Sequence, residues 1–253
     1  LGGFVLLLLA LACIAWLEQQ PNNRAAQGLL AFSVPLTLIT NAWVFPLQLL
    51  LVLGWIAMRI LQQQRPRYDF LLAGFALGMA LVLPFLTHFV GQTQSASLRL
   101  IEAADRVSTL KVIIMIWPML ILVALGFTRA RARSAAVLFC AIVAGVLIFA
   151  SVFYFQDSNG GVYKRFNTTL KWWSWVQVLA VVGVAALCLD SRWRAVRYST
   201  VTVLLLMSTY GLELARYWLH TPRTSAGKMA GHHWFTQDTN QSDVLNYLRA
   251  APR

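Results

Sequence analysis

What most constrains this chain is a recurrence. Apolar runs long enough to cross a bilayer core of ~30 Å, about 17–25 residues each, follow one another from the first residue to about Leu219. A single soluble core in a chain of 253 residues has no room for so many of them. Hydrophobic residues make up 58% of the chain and charged residues 12%, a charged share about half that of soluble domains. The expected fold class is therefore all-α, a polytopic membrane helix bundle of about eight transmembrane helices.

The first span runs from Leu1 to about Leu17 and ends at the polar stretch Glu18–Arg24. A second is expected over Ala26–Thr40 and a third over Val44–Leu61. As one helix, Leu29–Ile60 would be about 48 Å long, too long for a bilayer. The break belongs at Asn41-Ala42-Trp43, and Pro46 suits the first turn of the next helix. Tyr68–Val90, Lys111–Phe127, Ala135–Phe155, Leu170–Leu189 and Thr200–Leu219 complete the set. Between the fourth and fifth, the loose apolar spacing of Leu98, Ile101, Val107 and Leu110 predicts a surface helix. Residues 1–219 thus read as the membrane domain and 220–253 as an extracytoplasmic tail. The chain opens without Met, directly in an apolar run, and stops inside a helix-like pattern; it is expected to be a piece of a longer protein.

The net charge of +12 does not point to nucleic acid, because the cations collect in short loops rather than on a continuous aromatic-studded surface. Arg59, Arg65 and Arg67 share one loop, Arg129, Arg131 and Arg133 another, and Arg192, Arg194 and Arg197 a third. Even numbers of spans separate these loops, so all three can face the cytoplasm. The opposite, extracytoplasmic face of a cell membrane then receives Asn41-Ala42-Trp43, Gly91–Leu110, Gln156–Thr169 and the tail. Cys13, Cys140 and Cys188 lie inside apolar runs and read as small buried side chains.

Among the outer segments, Val162–Trp173 is the richest chemically, with Lys164, Arg165 and Lys171 beside Asn167, Thr168 and several aromatics. Arg165, Thr168 and either Thr169 or Lys171 fall near one helical face, a spacing suited to charge-assisted hydrogen bonds to a phosphate. Asn167 or Thr168 is placed to cap the helix and expose N–H groups to an anion. The same composition also suits an interfacial aromatic belt with snorkelling cations. Glu213 and Arg216, three residues apart in the last span, read as an intramembrane pair. His232-His233 lacks a third ligand at useful spacing, so no metal site is expected. No nucleotide loop, nucleophile elbow, paired-cysteine motif or cofactor signature occurs.

Three segments together resemble the bacterial and archaeal multi-pass membrane family called the YYY-domain family, which looks like a branch of the GT-C superfamily. Asn41-Ala42-Trp43-Val44-Phe45-Pro46 resembles that family's Asn-Thr-Trp-Asp-x-Pro segment. Arg165-Phe166-Asn167-Thr168-Thr169-Leu170-Lys171 resembles its Arg-Met-Asn-Thr-x-x-Lys segment. Thr224–Gly227 and Asp243–Leu248 are similar in placement to its post-span motifs. The resemblance implies a GT-C-like glycosyltransferase that takes a polyprenyl-phosphate sugar on the extracytoplasmic face. Arg165, Lys171 and Lys164 would contact the phosphate, while Asn41, Asn167, Thr168 and Trp43 would position polar groups. Val44 stands where the family carries Asp, and Ala226 where it carries a second Asp. Catalysis would also need a general base, which the family places in an earlier outer loop. A catalytically silent subunit of a larger membrane complex is therefore the first rival reading. A transporter or lipid flippase is the second, though no internal repeat supports it.

Overall fold

The structure, a computed structural model, describes residues 2–89, 97–102, 108–129, 134–156 and 168–220. It contains eight helical segments: α1 (Gly2–Gln19), α2 (Arg24–Asn41), α3 (Phe45–Leu61), α4 (Tyr68–Phe89), α5 (Thr109–Phe127), α6 (Ser134–Val152), α7 (Thr168–Leu189) and α8 (Arg194–His220). Two short strands, β1 (Leu98–Leu100) and β2 (Phe153–Phe155), pair antiparallel. Six helical stretches among the described residues are long and apolar enough to cross a membrane, and one of them is the 38-residue run Arg24–Leu61. The 27-residue α8 is not among the six. The chain divides into two compact units, Leu1–Leu204 and Leu205–Arg253, and α8 runs from the first into the second.

The Arg24–Leu61 run is broken where the sequence predicts. Asn41 takes an extended backbone (φ −168°), a single 3-10 turn follows at Ala42–Val44, and Pro46 sits in the first turn of α3. The two halves return antiparallel. Gln48, early in α3, donates through Nε2 to Ser33 Oγ of α2 (2.9 Å) and to the Leu6 carbonyl of α1 (3.2 Å). Gln48 and Ser33 are fully buried, so one side chain ties three helices where no water competes. At the opposite end Asn23 caps α2 by accepting from the Ala26 N–H at 3.0 Å.

The closest helix contact joins α2 to α4. The two run parallel, with Gly28 beside Phe70 and Gly74, and Phe32 and Pro35 beside Gly78. A Cβ on Gly74 would lie 2.1 Å from the Gly28 carbonyl oxygen, and one on Gly78 would lie 3.0 Å from that of Phe32. Gly74 and Gly78 form the small-xxx-small spacing that lets membrane helices approach to backbone contact.

Two corrections to the sequence reading follow. The sixth helix ends at Val152 rather than Phe155, because Phe153–Phe155 pairs with Leu98–Leu100 as a strand. The predicted surface helix is absent over Leu98–Ile101, while Leu110 lies in the first turn of α5 and Val107 lies outside the described residues. Leu98 lies in β1, and the Ile101 N–H donates to the Val152 carbonyl, extending the ladder. β1 is exposed while Ile101 and Tyr154 are buried, so the apolar positions there follow strand pairing rather than a helical face.

Within the first unit the loops separate into two ends. Ser134 donates to Glu18 (2.6 Å), Arg59 donates to the Leu17 carbonyl, and Arg129 meets Asp190 at 3.5 Å, so the arginine-bearing loops share one end. The other end gathers Ala42–Val44, the β1–β2 ribbon and the start of α7.

Candidate functional site

The second end is built around Trp172. Its indole N–H donates to the Trp43 carbonyl at 2.7 Å, a bond between residues 129 positions apart. Trp172 stacks on Phe149 of α6 (centroids 5.8 Å) and meets Phe155 of β2 edge-on (5.6 Å), while Trp43 meets Phe155 edge-on at 6.4 Å. These are favoured aromatic geometries, and they lock four elements together at one point. The first turns of α7, Thr168–Trp172, have π-helical spacing, a local widening frequent at functional sites.

Thr168 is 1% exposed, and its hydroxyl is already engaged: it accepts from the Phe155 N–H (3.0 Å) and donates to the Phe155 carbonyl (3.3 Å). It anchors the ribbon to α7 and does not open toward a ligand. Lys171 is half-buried, as are Asn41 and Trp43. Lys164, Arg165 and Asn167 lie outside the described residues, as do the tail and His232-His233. The structure thus brings together Trp43, Thr168 and the Lys171 segment, which the sequence flagged separately, with Asn41 adjoining Trp43 through the turn. Glu213 and Arg216 are exposed on α8. Cys13, Cys140 and Cys188 are buried, and no three His, Cys, Asp or Glu come together among the described residues.

Two features of this end were not read from sequence. A cavity of about 550 Å³ opens beside the aromatic cluster, between α3 and α6 and beneath Trp172. Pro46, Leu47, Leu50, Ile142, Gly145 and Phe149 line it, and among the described residues no charged side chain does. It lies along helices that are apolar enough to cross a membrane. The second feature is Glu102, which follows Ile101 at the end of the β1 strand and is exposed. Among the described residues of the first unit, it is the carboxylate placed at this end.

Comparison of the chain with protein-family models, curated proteins and solved structures finds no match.

Proposed function

We propose that this membrane protein binds a lipid-linked sugar phosphate, with the polyprenyl chain in the apolar slot and the phosphate at the adjacent aromatic and basic end. The observation that carries the reading is the continuity of two chemistries. The described residues lining the 550 Å³ slot are apolar, and one of them, Trp172, is preceded directly by Lys171. An amphiphile with a long hydrocarbon tail and an anionic head matches that order. The GT-C resemblance of the Asn41–Pro46 and Arg165–Lys171 segments agrees with it, because Trp172, next in the chain after Lys171, donates to the Trp43 carbonyl of the first segment.

In this reading α1–α8 are all transmembrane, the arginine loops face the cytoplasm, and the aromatic end faces outward from a cell membrane. Lys171 and Arg165, with Lys164, hold the phosphate, and Asn41 and Asn167 direct polar groups at the sugar. Glu102 is the carboxylate to test as general base. A second reading, a catalytically silent subunit of a membrane complex, is favoured by one observation. Val44, at the position where the resembling family has Asp, is 1% exposed among apolar neighbours.

The test fills the slot without disturbing the packing. A Cβ on Gly145 meets nothing within 4 Å, so Gly145→Phe projects into open space. The full chain in nanodiscs should crosslink a photoactivatable polyprenyl phosphate, and G145F should lose that product while keeping its thermal unfolding midpoint. Arg165→Ala should abolish binding through the head group. Equal crosslinking by wild type and G145F would overturn the site. Crosslinking without sugar transfer, unchanged by Glu102→Gln, would favour the silent subunit.

A further inference from the structure

The apolar cavity beside Trp172 comes to an end between α3 and α6, and the place where it ends limits how much of a chain it can hold. Phe149 and Ala141, eight residues apart on α6, mark the two ends of its longer wall. At about 1.5 Å of rise per residue, that wall is about 12 Å long. Pro46, Leu47 and Leu50 form the facing wall on α3. One turn further along α3 the two helices close. Gly54 faces α6 there, and a Cβ on it would lie 2.7 Å from Leu138 Cδ1 and 4.0 Å from Ile142 Cδ1. Leu138 and Ile142 are buried, and their side chains, filling the space at Gly54, form the floor.

Two glycines in the facing helices thus act in opposite ways. At Gly54 the missing side chain lets α6 approach, whereas at Gly145 it leaves room, because a Cβ there meets nothing within 4 Å. The slot is also open along its side. Ala141 and Gly145 are exposed, and Leu50 across from them is 46% exposed. A chain that enters at Trp172 therefore has walls over about 12 Å and, at the floor, only a sideways exit.

Lipid tails are as apolar as the lining, so moving a tail from bilayer to slot brings no hydrophobic gain. What holds it is contact with the walls, and a gap of about 0.5–1 Å already forfeits a quarter to a half of each such contact. Engagement stops where the walls stop. An extended chain advances about 3.5 Å for every three bonds, so about 12 Å takes about ten main-chain carbons, or two to three isoprene units.

We propose that the slot grips only the phosphate-proximal part of the lipid carrier, about ten main-chain carbons, and that Ala141 at the deep end of its wall sets that depth. This length rests on the lipid-phosphate reading of the same site: α3 and α6 contact the first isoprene units, and the rest of the chain lies in the bilayer. Carriers that differ only beyond the third unit are then equivalent to this protein.

The test uses the full chain in nanodiscs and three polyprenyl phosphates of one length, so that partition into the bilayer is constant. Each carries a diazirine at a single place, near the fourth, the tenth or the twentieth main-chain carbon, and crosslinked peptides are read by mass spectrometry. The near probe should label the Pro46 and Phe149 region, and the middle probe Leu50 and Ala141–Ile142. The far probe should label lipid and leave α3 and α6 unlabelled. Ala141→Phe should lose the middle crosslink and keep the near one, whereas Gly145→Phe, halfway along the wall, should lose both. The comparison of middle and far probes in the wild type needs no variant to fold. A far probe that labels α3 and α6 as strongly as the middle one overturns the depth, as does equal loss of near and middle crosslinks in A141F. Either result leaves the lipid-phosphate reading in place. Absence of crosslinks from every probe overturns that reading and the depth with it. The same order of labels, at equal strength, from phosphate-free polyprenols would support the depth and overturn the phosphate.

Discussion

Replacing Gly74 by Ala tests whether the α2–α4 contact is as close as the structure has it. The added Cβ would lie 2.1 Å from the Gly28 oxygen, 2.8 Å from its carbonyl carbon and 2.9 Å from its Cα. Carbon–oxygen contacts between helices settle near 3.3–3.6 Å, so the shortfall is about 1.2 Å. All three atoms are backbone, and no rotamer change relieves it. The helices must part, and the parting propagates to Gly78 and Phe32, where the fit is already tight. A gap of 0.5–1 Å forfeits about a quarter to a half of each dispersion contact. Overpacking of this kind costs about 1–3 kcal/mol. Alanine's better helix propensity returns about 1 kcal/mol, and Gly145→Ala isolates that gain because its Cβ meets nothing. G74A and G145A share the propensity gain and should therefore differ by the overpacking cost, about 1–3 kcal/mol, in reversible unfolding in mixed micelles followed by tryptophan fluorescence. Variants within about 0.5 kcal/mol of each other would show that α2 and α4 do not meet at Gly28 and Gly74.

Two further substitutions probe the ends of the bundle. Trp172→Phe keeps an aromatic ring against Phe149 and Phe155 but removes the donor to the Trp43 carbonyl. It should lower unfolding stability by about 1–2 kcal/mol, and an unchanged midpoint would remove that bond from the account. Gln63→Gly should raise stability by about 0.5 kcal/mol. Relief of the left-handed backbone outweighs the greater freedom of glycine in the unfolded chain, and a loss on the same unfolding measurement would contradict the turn.

The helices were legible because a membrane-spanning helix satisfies its own backbone in lipid and demands a long apolar run, which the sequence displays directly. Length demanded a break, since about 48 Å of helix has nowhere to go in a ~30 Å core, and Asn41-Ala42-Trp43 with Pro46 placed it. Where the prediction failed, at Phe153–Phe155 and Leu98–Ile101, the residues are apolar or aromatic on both readings. What decides there is pairing with a partner some 50 residues away, a relation that local periodicity does not encode. The α2–α4 contact had a signal that span-counting passes over: Gly74 and Gly78 at i, i+4 inside one apolar run.

The candidate sites divide along the same line. Residue type marked the Trp43 and Lys171 segments, and the fold joins Trp43 to Trp172, but type alone does not show that the Thr168 hydroxyl is already engaged. A hydroxyl flanked by cations suggests a ligand contact, whereas burial and the Phe155 backbone claim both its donor and its acceptor. Arg59 shows the converse. By sequence it was one of nine arginines anchoring three loops, equivalent to Arg65 and Arg67. In the structure Arg67 pairs with Asp69 at 2.9 Å in the open, while Arg59 is drawn under the end of α3 with an unpartnered Nε. The positive-inside pattern fixes how many cations a loop carries, not how deeply each is placed. Depth decides chemistry here, because an exposed arginine is satisfied by water and a buried one must be satisfied by the protein or by what the protein binds.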